Sequence, residues 1–359
     1  MRTYDAKTKA LTARSLGHGP VLMVSDQGDL SNFETTVWRG DRRARRWVSV
    51  DTGNSMQKAA MIQRADSLSL KGDDVLVRTG AKTTKLAGTA VVELNAAMRK
   101  PEGASFTLDA WRFENRDALK ALYSTIGKDA SLPILTALNL RSEDGGIKAY
   151  ATDRYKLGEA MLGTASKPVD FQANVSGSLL KELVTNRAWH LTVWEDFALA
   201  EFCETGVRVQ TMNVTGSYPK VENLFAEYAP EHTATWTVTP SLFARVVRDM
   251  NPPRNNPVAL SRDGLIAGEG AGSVRPAGVV EVQYQGEAQR WVAMSHEYLA
   301  QILRSVSGYP EARILWGPAK ANEESMKPVY FEVSDRLRLL LMPTRGAGRS
   351  FPVANISEG

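Results

Sequence analysis

Apolar and polar positions along this chain follow a few recurring patterns. Before Pro133, residues Leu119, Leu122, Tyr123 and Ile126 fall at i, i+3, i+4 and i+7, which is one face of a helix. Arg116, Lys120 and Lys128 lie mostly off that stripe. Before Pro257, Thr239 is placed to cap a helix and Pro240 to open its first turn. The pattern turns Leu242, Phe243, Val246, Val247 and Met250 inward and leaves Arg245 and Arg248 outside. Further helices are predicted over 54–64, 178–187 and 295–306, with Lys58, Arg64, Lys181, Arg187 and Arg304 on their polar sides. Elsewhere the period drops to two, as in Val329, Phe331, Val333 and then Leu337, Leu339, Leu341, the alternation of half-buried strands.

The same unit recurs. Pro20-Val21-Leu22 leads to Asp26-Gln27-Gly28-Asp29, Pro133-Ile134-Leu135 to Glu143-Asp144-Gly145-Gly146, and Pro257-Val258-Ala259-Leu260 to Arg262-Asp263-Gly264. Each reads as strand, tight acidic-glycine turn, strand. The repeats are about one domain apart, too far for a solenoid. The expectation is an α+β protein of three tandem domains, each with two helices packed on antiparallel sheets. Their predicted bounds are 1–104, with a first unit shortened at its start, then 105–232 and 233–345, followed by a tail over 346–359.

Composition narrows the chemistry more than it defines it. A chain of 359 residues with 43% apolar content suits two or three cores. No apolar window is long enough to cross a bilayer and the start has no secretion signal, so the expected location is cytoplasmic. One cysteine, Cys203, and four scattered histidines offer neither an internal disulfide nor a spaced metal cluster, and no metal or cofactor is expected. A net charge of +4 permits a polyanionic partner without requiring one. The basic run from Arg39 to Arg46 reads as a solvated hairpin tip.

Three ordered motifs carry a resemblance. Ala151-Thr152-Asp153-Arg154-Tyr155-Lys156-Leu157 is similar to the Ala-Thr-Asp-Gly-His-Arg-Leu strand and turn of the bacterial DNA polymerase III beta subunits, the beta sliding clamps. Gly216-Ser217-Tyr218-Pro219-Lys220 resembles that family's Gly-x-Phe-Pro-Asp, and Leu341-Met342-Pro343-Thr344-Arg345 its terminal Met-Pro-Met-Arg. The resemblance covers approximately residues 105–345 and is fainter before them. Arg154, Tyr155 and Lys156 replace the family's usual Gly, His and Arg, departures that fit a divergent relative of the kind a phage could encode.

The resemblance implies a head-to-tail homodimer closed into a ring around duplex DNA, loaded by a clamp loader and tethering a DNA polymerase, with no catalysis of its own. Sliding needs sequence-independent phosphate contacts, and the helix cations Lys58, Arg64, Arg116, Lys120, Lys181, Arg187, Arg245, Arg248 and Arg304 are the candidates. Any one of them alone reads equally well as an ordinary solvated helix face. The resemblance also implies a partner-peptide cleft between the second and third domains. Thr152, Tyr155, Lys156 and Leu157 would form one side, Met342, Pro343, Thr344 and Arg345 the other, with the connector Leu224-Phe225-Ala226-Glu227-Tyr228-Ala229-Pro230 as a further wall.

Other chemistry is set aside on residue grounds. Gly268-Glu269-Gly270-Ala271-Gly272-Ser273 lacks the lysine of a phosphate loop, and Ser295-His296 reads as a helix cap. Cys203 is expected to be at least half-buried, Glu195-Asp196 to be an exposed strand end, and the tryptophans to serve packing. The alternative to a working clamp is a decoy that keeps the peptide cleft without encircling DNA. An enzyme on an unrelated fold would need an acid, base and nucleophile that the sequence does not assemble.

Overall fold

The computed structural model describes residues 21–25, 30–31, 35–39, 47–51, 61–62, 65–91, 105–109, 113–143, 146–164, 171–186, 188–204, 206–228, 234–250, 257–261, 264–267, 292–316 and 327–344. Strands come first: β1 (Val21–Ser25), β2 (Leu30–Ser31), β3 (Thr35–Arg39), β4 (Trp47–Asp51), β5 (Ser67–Lys71), β6 (Asp74–Thr79), β7 (Lys82–Ala87), β8 (Thr89–Val91) and β9 (Phe106–Asp109). Next are α1 (Phe113–Tyr123), a short 3-10 turn (Pro133–Thr136), β10 (Ala137–Glu143), β11 (Gly146–Thr152), β12 (Lys156–Thr164), β13 (Gln172–Ser176) and α2 (Gly177–Thr185). Then β14 (Trp189–Val193), β15 (Phe197–Phe202), β16 (Val207–Met212), α3 (Glu222–Tyr228), β17 (Ala234–Val238), α4 (Pro240–Met250), β18 (Pro257–Ser261) and β19 (Gly264–Ala267) follow. The described chain closes with β20 (Val292–Ser295), α5 (His296–Ser305), β21 (Ala312–Trp316), β22 (Val329–Ser334) and β23 (Leu337–Leu341). No helix among the described residues is long and apolar enough to cross a membrane.

The chain divides into two compact units, one of 1–116, 139–145 and 165–216, the other of 117–138, 146–164 and 217–359. In the first unit a nine-stranded sheet runs β8-β4-β1-β2-β3-β16-β15-β14-β9, and β5-β6-β7 form a small meander. Ser176 caps α2, its hydroxyl accepting from the Ser178 amide, and the helix buries Leu179, Leu180 and Leu183. The fully buried Trp189 donates its indole N–H to the Leu183 carbonyl at 2.8 Å, which satisfies its one polar atom. At the exposed Glu195-Asp196 turn, the Asn213 side chain donates to the carbonyls of Trp194 and Glu195. Cys203 is exposed rather than half-buried, because β15 ends at Phe202 and the thiol belongs to the turn beyond it.

The second unit is built on the strand order β11-β12-β23-β22-β21-β17, with a separate trio β19-β18-β20. In register, Gly158 faces Leu339 and Leu157 faces Leu340. Alternation then sends Leu339 toward Leu122 of α1, while Leu340 joins Leu157, Phe225 and Tyr330 in a second apolar cluster. Both faces of β22 and β23 are therefore covered. The sequence's half-buried reading of these strands is corrected on this point, since Tyr330 and Leu340 are as buried as Phe331 and Leu339. Each such side chain contributes roughly 1.5–3 kcal/mol on burial.

Helices α4 and α5 form where expected. The Thr239 carbonyl accepts from the Leu242 and Phe243 amides at the start of α4, and the Ser295 hydroxyl accepts from the Tyr298 amide at the start of α5. Phe243 and Val247 are buried, but Leu242 is exposed, so the inward stripe of α4 is narrower than its composition suggested. A 2.6 Å contact between His296 Nε2 and the Val247 carbonyl ties the two helices. Pro133 opens a 3-10 turn and not a strand; its fixed φ suits a helical first turn, and the strand starts only at Ala137.

Candidate partner-binding site

The turn between β11 and β12 holds the first group of candidate residues. The Thr152 hydroxyl donates to the Lys156 carbonyl at 2.7 Å, and the Arg154 amide donates to Thr152 Oγ1 at 3.0 Å. Asp153 Oδ1 accepts from the amides of Tyr155 and Lys156 at 2.9 and 2.7 Å. This is the local bonding that makes Thr and Asp turn formers. Arg154 takes φ +80°, the only positive φ at a non-glycine residue among those described. A side chain in that region costs about 1–2 kcal/mol. The turn also aims Tyr155 outward, and the residue is 53% exposed.

Lys156 points the other way. It is 3% exposed, and its Nζ lies 2.6 Å from the Ser124 carbonyl, 2.7 Å from Gln301 Oε1 and 3.3 Å from Asp153 Oδ2. It also sits 4.7 Å from the centre of the Tyr298 ring. Burial pulls its pKa below the ordinary lysine value, and the Asp153 carboxylate opposes that pull. Tyr298 in turn lies 5.9 Å from the Tyr155 ring, tilted by 32°. Burial raises the Tyr298 phenol pKa, and the charge of Asp153 adds to the effect.

The strand end that carries the second group is tied to the same turn. The Met342 amide donates to the Tyr155 carbonyl at 2.8 Å, and the Thr344 amide to the Ala293 carbonyl at 2.8 Å. Met342 is 41% exposed, and Pro343 and Thr344 are half-buried. Thr152 and Leu157 are buried. Thus Tyr155 and Met342 present surface, while Thr152, Lys156 and Leu157 build the support beneath. Pro230 and Arg345 lie outside the described residues.

Residues of the connector after Gly216-Ser217-Tyr218-Pro219-Lys220 complete the surface, joined by Ile134 and Val221, which the sequence did not assign to the cleft. Leu157 and Leu340 belong to the cluster with Tyr218, Val221 and Phe225, and Ile134, Leu224 and Tyr228 pack against it half-buried. Beside Tyr155 and Tyr298 a cavity of about 300 Å³ has an apolar floor of Ile126, Leu132 and Leu135 and a charged rim of Lys128, Asp129, Arg154 and Glu297. A surface of exposed aromatic and methionine side chains over a mixed apolar cleft suits an extended segment carrying apolar anchors. Tyr298 had one sequence signal, its place three residues after a capping serine; Ser124 had none, because its main-chain carbonyl is what matters.

The candidate DNA-facing cations divide by position. Lys120, Lys181, Arg245, Arg248 and Arg304 are exposed, and Arg116 is half-buried. Lys120, Arg248 and Arg304 stand in the last turns of α1, α4 and α5, where a cation also favours the helix dipole. Arg248 pairs with Asp249 at 3.1 Å. Lys58, Arg64 and Arg187 lie outside the described residues. Among those described, no group of three or more His, Cys, Asp or Glu residues could hold a metal ion.

No family model matches the chain. It is 31% identical over 174 residues to the beta sliding clamp of Micrococcus luteus, a match covering 46% of this chain and 54% of that protein. The match therefore spans about half the length of this curated relative. The DNA polymerase sliding clamp of Bacillus subtilis superposes with a TM-score of 0.66 at 16% identity, covering 96% of this chain and 94% of that one. A sliding clamp, the DNA polymerase III beta subunit of Bartonella birtlesii, described bound to griselimycin, superposes with a TM-score of 0.65 at 12% identity, covering 94% and 96%.

Proposed function

We propose that this chain, a divergent relative of the bacterial beta sliding clamps, works as a DNA sliding clamp: a processivity factor that encircles duplex DNA and holds a polymerase through the Tyr155–Met342 surface. The observation that carries the reading is the hydrogen bond joining that turn to the strand end at Met342, within a fold that matches solved clamps over nearly the whole chain. The two partners of the bond come from two of the motifs that carry the resemblance.

On this reading the chain has three tandem domains over 1–104, 105–232 and 233–345, and two copies join head to tail. A head-to-tail contact closes a ring only when its rotation does so. Enclosure, not tight binding, keeps the clamp on DNA, so the lining needs weak exchangeable phosphate contacts. Exposed helix cations such as Lys120, Lys181, Arg245 and Arg304 supply them. The protein performs no reaction, works in the cytoplasm and is opened by a clamp loader. Partner segments dock on Tyr155 and Met342 and reach the half-buried Leu224 and Tyr228 around the Leu157–Leu340 floor.

The test is retention on nicked circular DNA after addition of loader and ATP, followed by linearising the circle at moderately high salt. Retention on circles with release from linear DNA supports the clamp. Loss from both, with partner binding intact and a known clamp loading in the same assay, overturns it in favour of a decoy that binds partners without encircling DNA.

A further inference from the structure

We infer that Lys156 is a positioning residue, a buried latch that sets the Tyr155–Tyr298 wall of the site and offers nothing to a bound partner. The inference rests on the partner-cleft reading above and refines it, since a cation at this place would otherwise be assigned to the ligand. A lysine ammonium has three donors and no acceptor. Three acceptors surround this one, the Ser124 carbonyl at 2.6 Å, Gln301 Oε1 at 2.7 Å and Asp153 Oδ2 at 3.3 Å. At 3% exposure, no donor remains for a peptide.

The three acceptors come from three different places. Ser124 follows the C-terminal end of α1, Gln301 lies on α5, and Asp153 belongs to the β11–β12 turn. The cation therefore ties both helices to the turn, and it complements the exposed carbonyl end of α1. Its fourth contact is the face of Tyr298, the ring on which Tyr155 leans. Gln301 is itself held by Glu297 through a 3.0 Å bond, which fixes the acceptor before any partner arrives. Moving the ammonium frees Tyr298 on one side and the turn that carries Tyr155 on the other.

Lys156→Met keeps the aliphatic stem and removes the charge and donors. Amide exchange in the turn 152–156 and in the first turn of α5 should quicken by roughly tenfold, with the nine-stranded sheet unchanged. Griselimycin serves as the probe of the surface, and its affinity should fall by about tenfold in Lys156→Met. The same substitution in a Tyr298→Ala background should cost little more, because the lysine acts through that ring. Gln301→Met, a milder change on a half-buried helix position, should shift both readouts in the same direction and stands in if Lys156→Met fails to fold. Unchanged exchange in the turn overturns the latch whatever griselimycin does, and additive losses in the double variant overturn its action through Tyr298. Failure of the unsubstituted protein to bind griselimycin counts against the cleft reading and leaves the exchange experiment to judge the latch.

Discussion

The Met342 amide donates to the Tyr155 carbonyl at 2.8 Å, so two of the most exposed large apolar side chains described in this protein rise from hydrogen-bonded neighbours. One sits on a hairpin turn and the other at the end of β23, far apart in sequence. Their backbones are fixed and their side chains are not buried, an arrangement that favours recognition over stability.

Tyr155→Ala and Met342→Ala should accordingly leave stability within about 0.5 kcal/mol of the parent, because neither side chain fills the core. If this surface takes griselimycin, as the clamp reading proposes, each should weaken that binding by more than about 1 kcal/mol. Urea denaturation and calorimetric titration on the same samples check both halves.

Arg154 occupies φ +80° where the resembling family has glycine. Arg154→Gly should raise stability by about 0.5–1 kcal/mol, the strain of about 1–2 kcal/mol less the added freedom of the unfolded chain. Arg154→Ala should bring no such gain, since alanine carries the same Cβ. Paired urea melts of the two variants decide it.

Gly158 faces α1, and a Cβ there would lie 2.7 Å from Leu122 Cδ2 and 3.1 Å from both Leu339 Cδ2 and Thr125 Oγ1. Gly158→Ala should destabilise by roughly 1–3 kcal/mol through overpacking. The thermal midpoint should fall, with secondary structure by circular dichroism unchanged below it.

Burial raises the phenol pKa of Tyr330, only partly offset by Arg338, and raises that of Tyr298. Their stabilising contribution is complete below the unfolded tyrosine value of about 10 and is lost as pH climbs through the raised folded values. Ultraviolet titration should show a late-ionising component that shrinks in Tyr298→Phe and in Tyr330→Phe. Stability should drop at alkaline pH more steeply in the parent than in either variant.

If exposed helix cations touch phosphates, replacing Lys120, Arg245 and Arg304 together by alanine should flatten the salt dependence of DNA binding. The slope should change by about 0.9 for each phosphate that is no longer neutralised, with no change in sequence preference. Filter binding over a salt series measures it, and an unchanged slope would place these residues away from DNA.

Much of this protein is written in local pattern. Helices α2, α4 and α5, the caps at Thr239 and Ser295, and the strands through Val329 and Leu337 follow from periodicity and from residues acting on their immediate neighbours. The Thr152–Lys156 turn is local too, and its motif, with the one ending at Arg345, is enough to single out Tyr155 and Met342. What only the tertiary structure decided is which way those residues face. Lys156 and Tyr155 are adjacent and both polar at their tips, yet one is buried against three acceptors and the other stands in solvent. Leu340 and Leu242 likewise reverse the exposure that their patterns suggested: α3 contributes Phe225 to the cluster that covers Leu340, while Leu242 stays in solvent. Sequence period determines the side of an element on which a residue lies; what is packed against that side depends on chain segments remote in sequence, and burial follows from them.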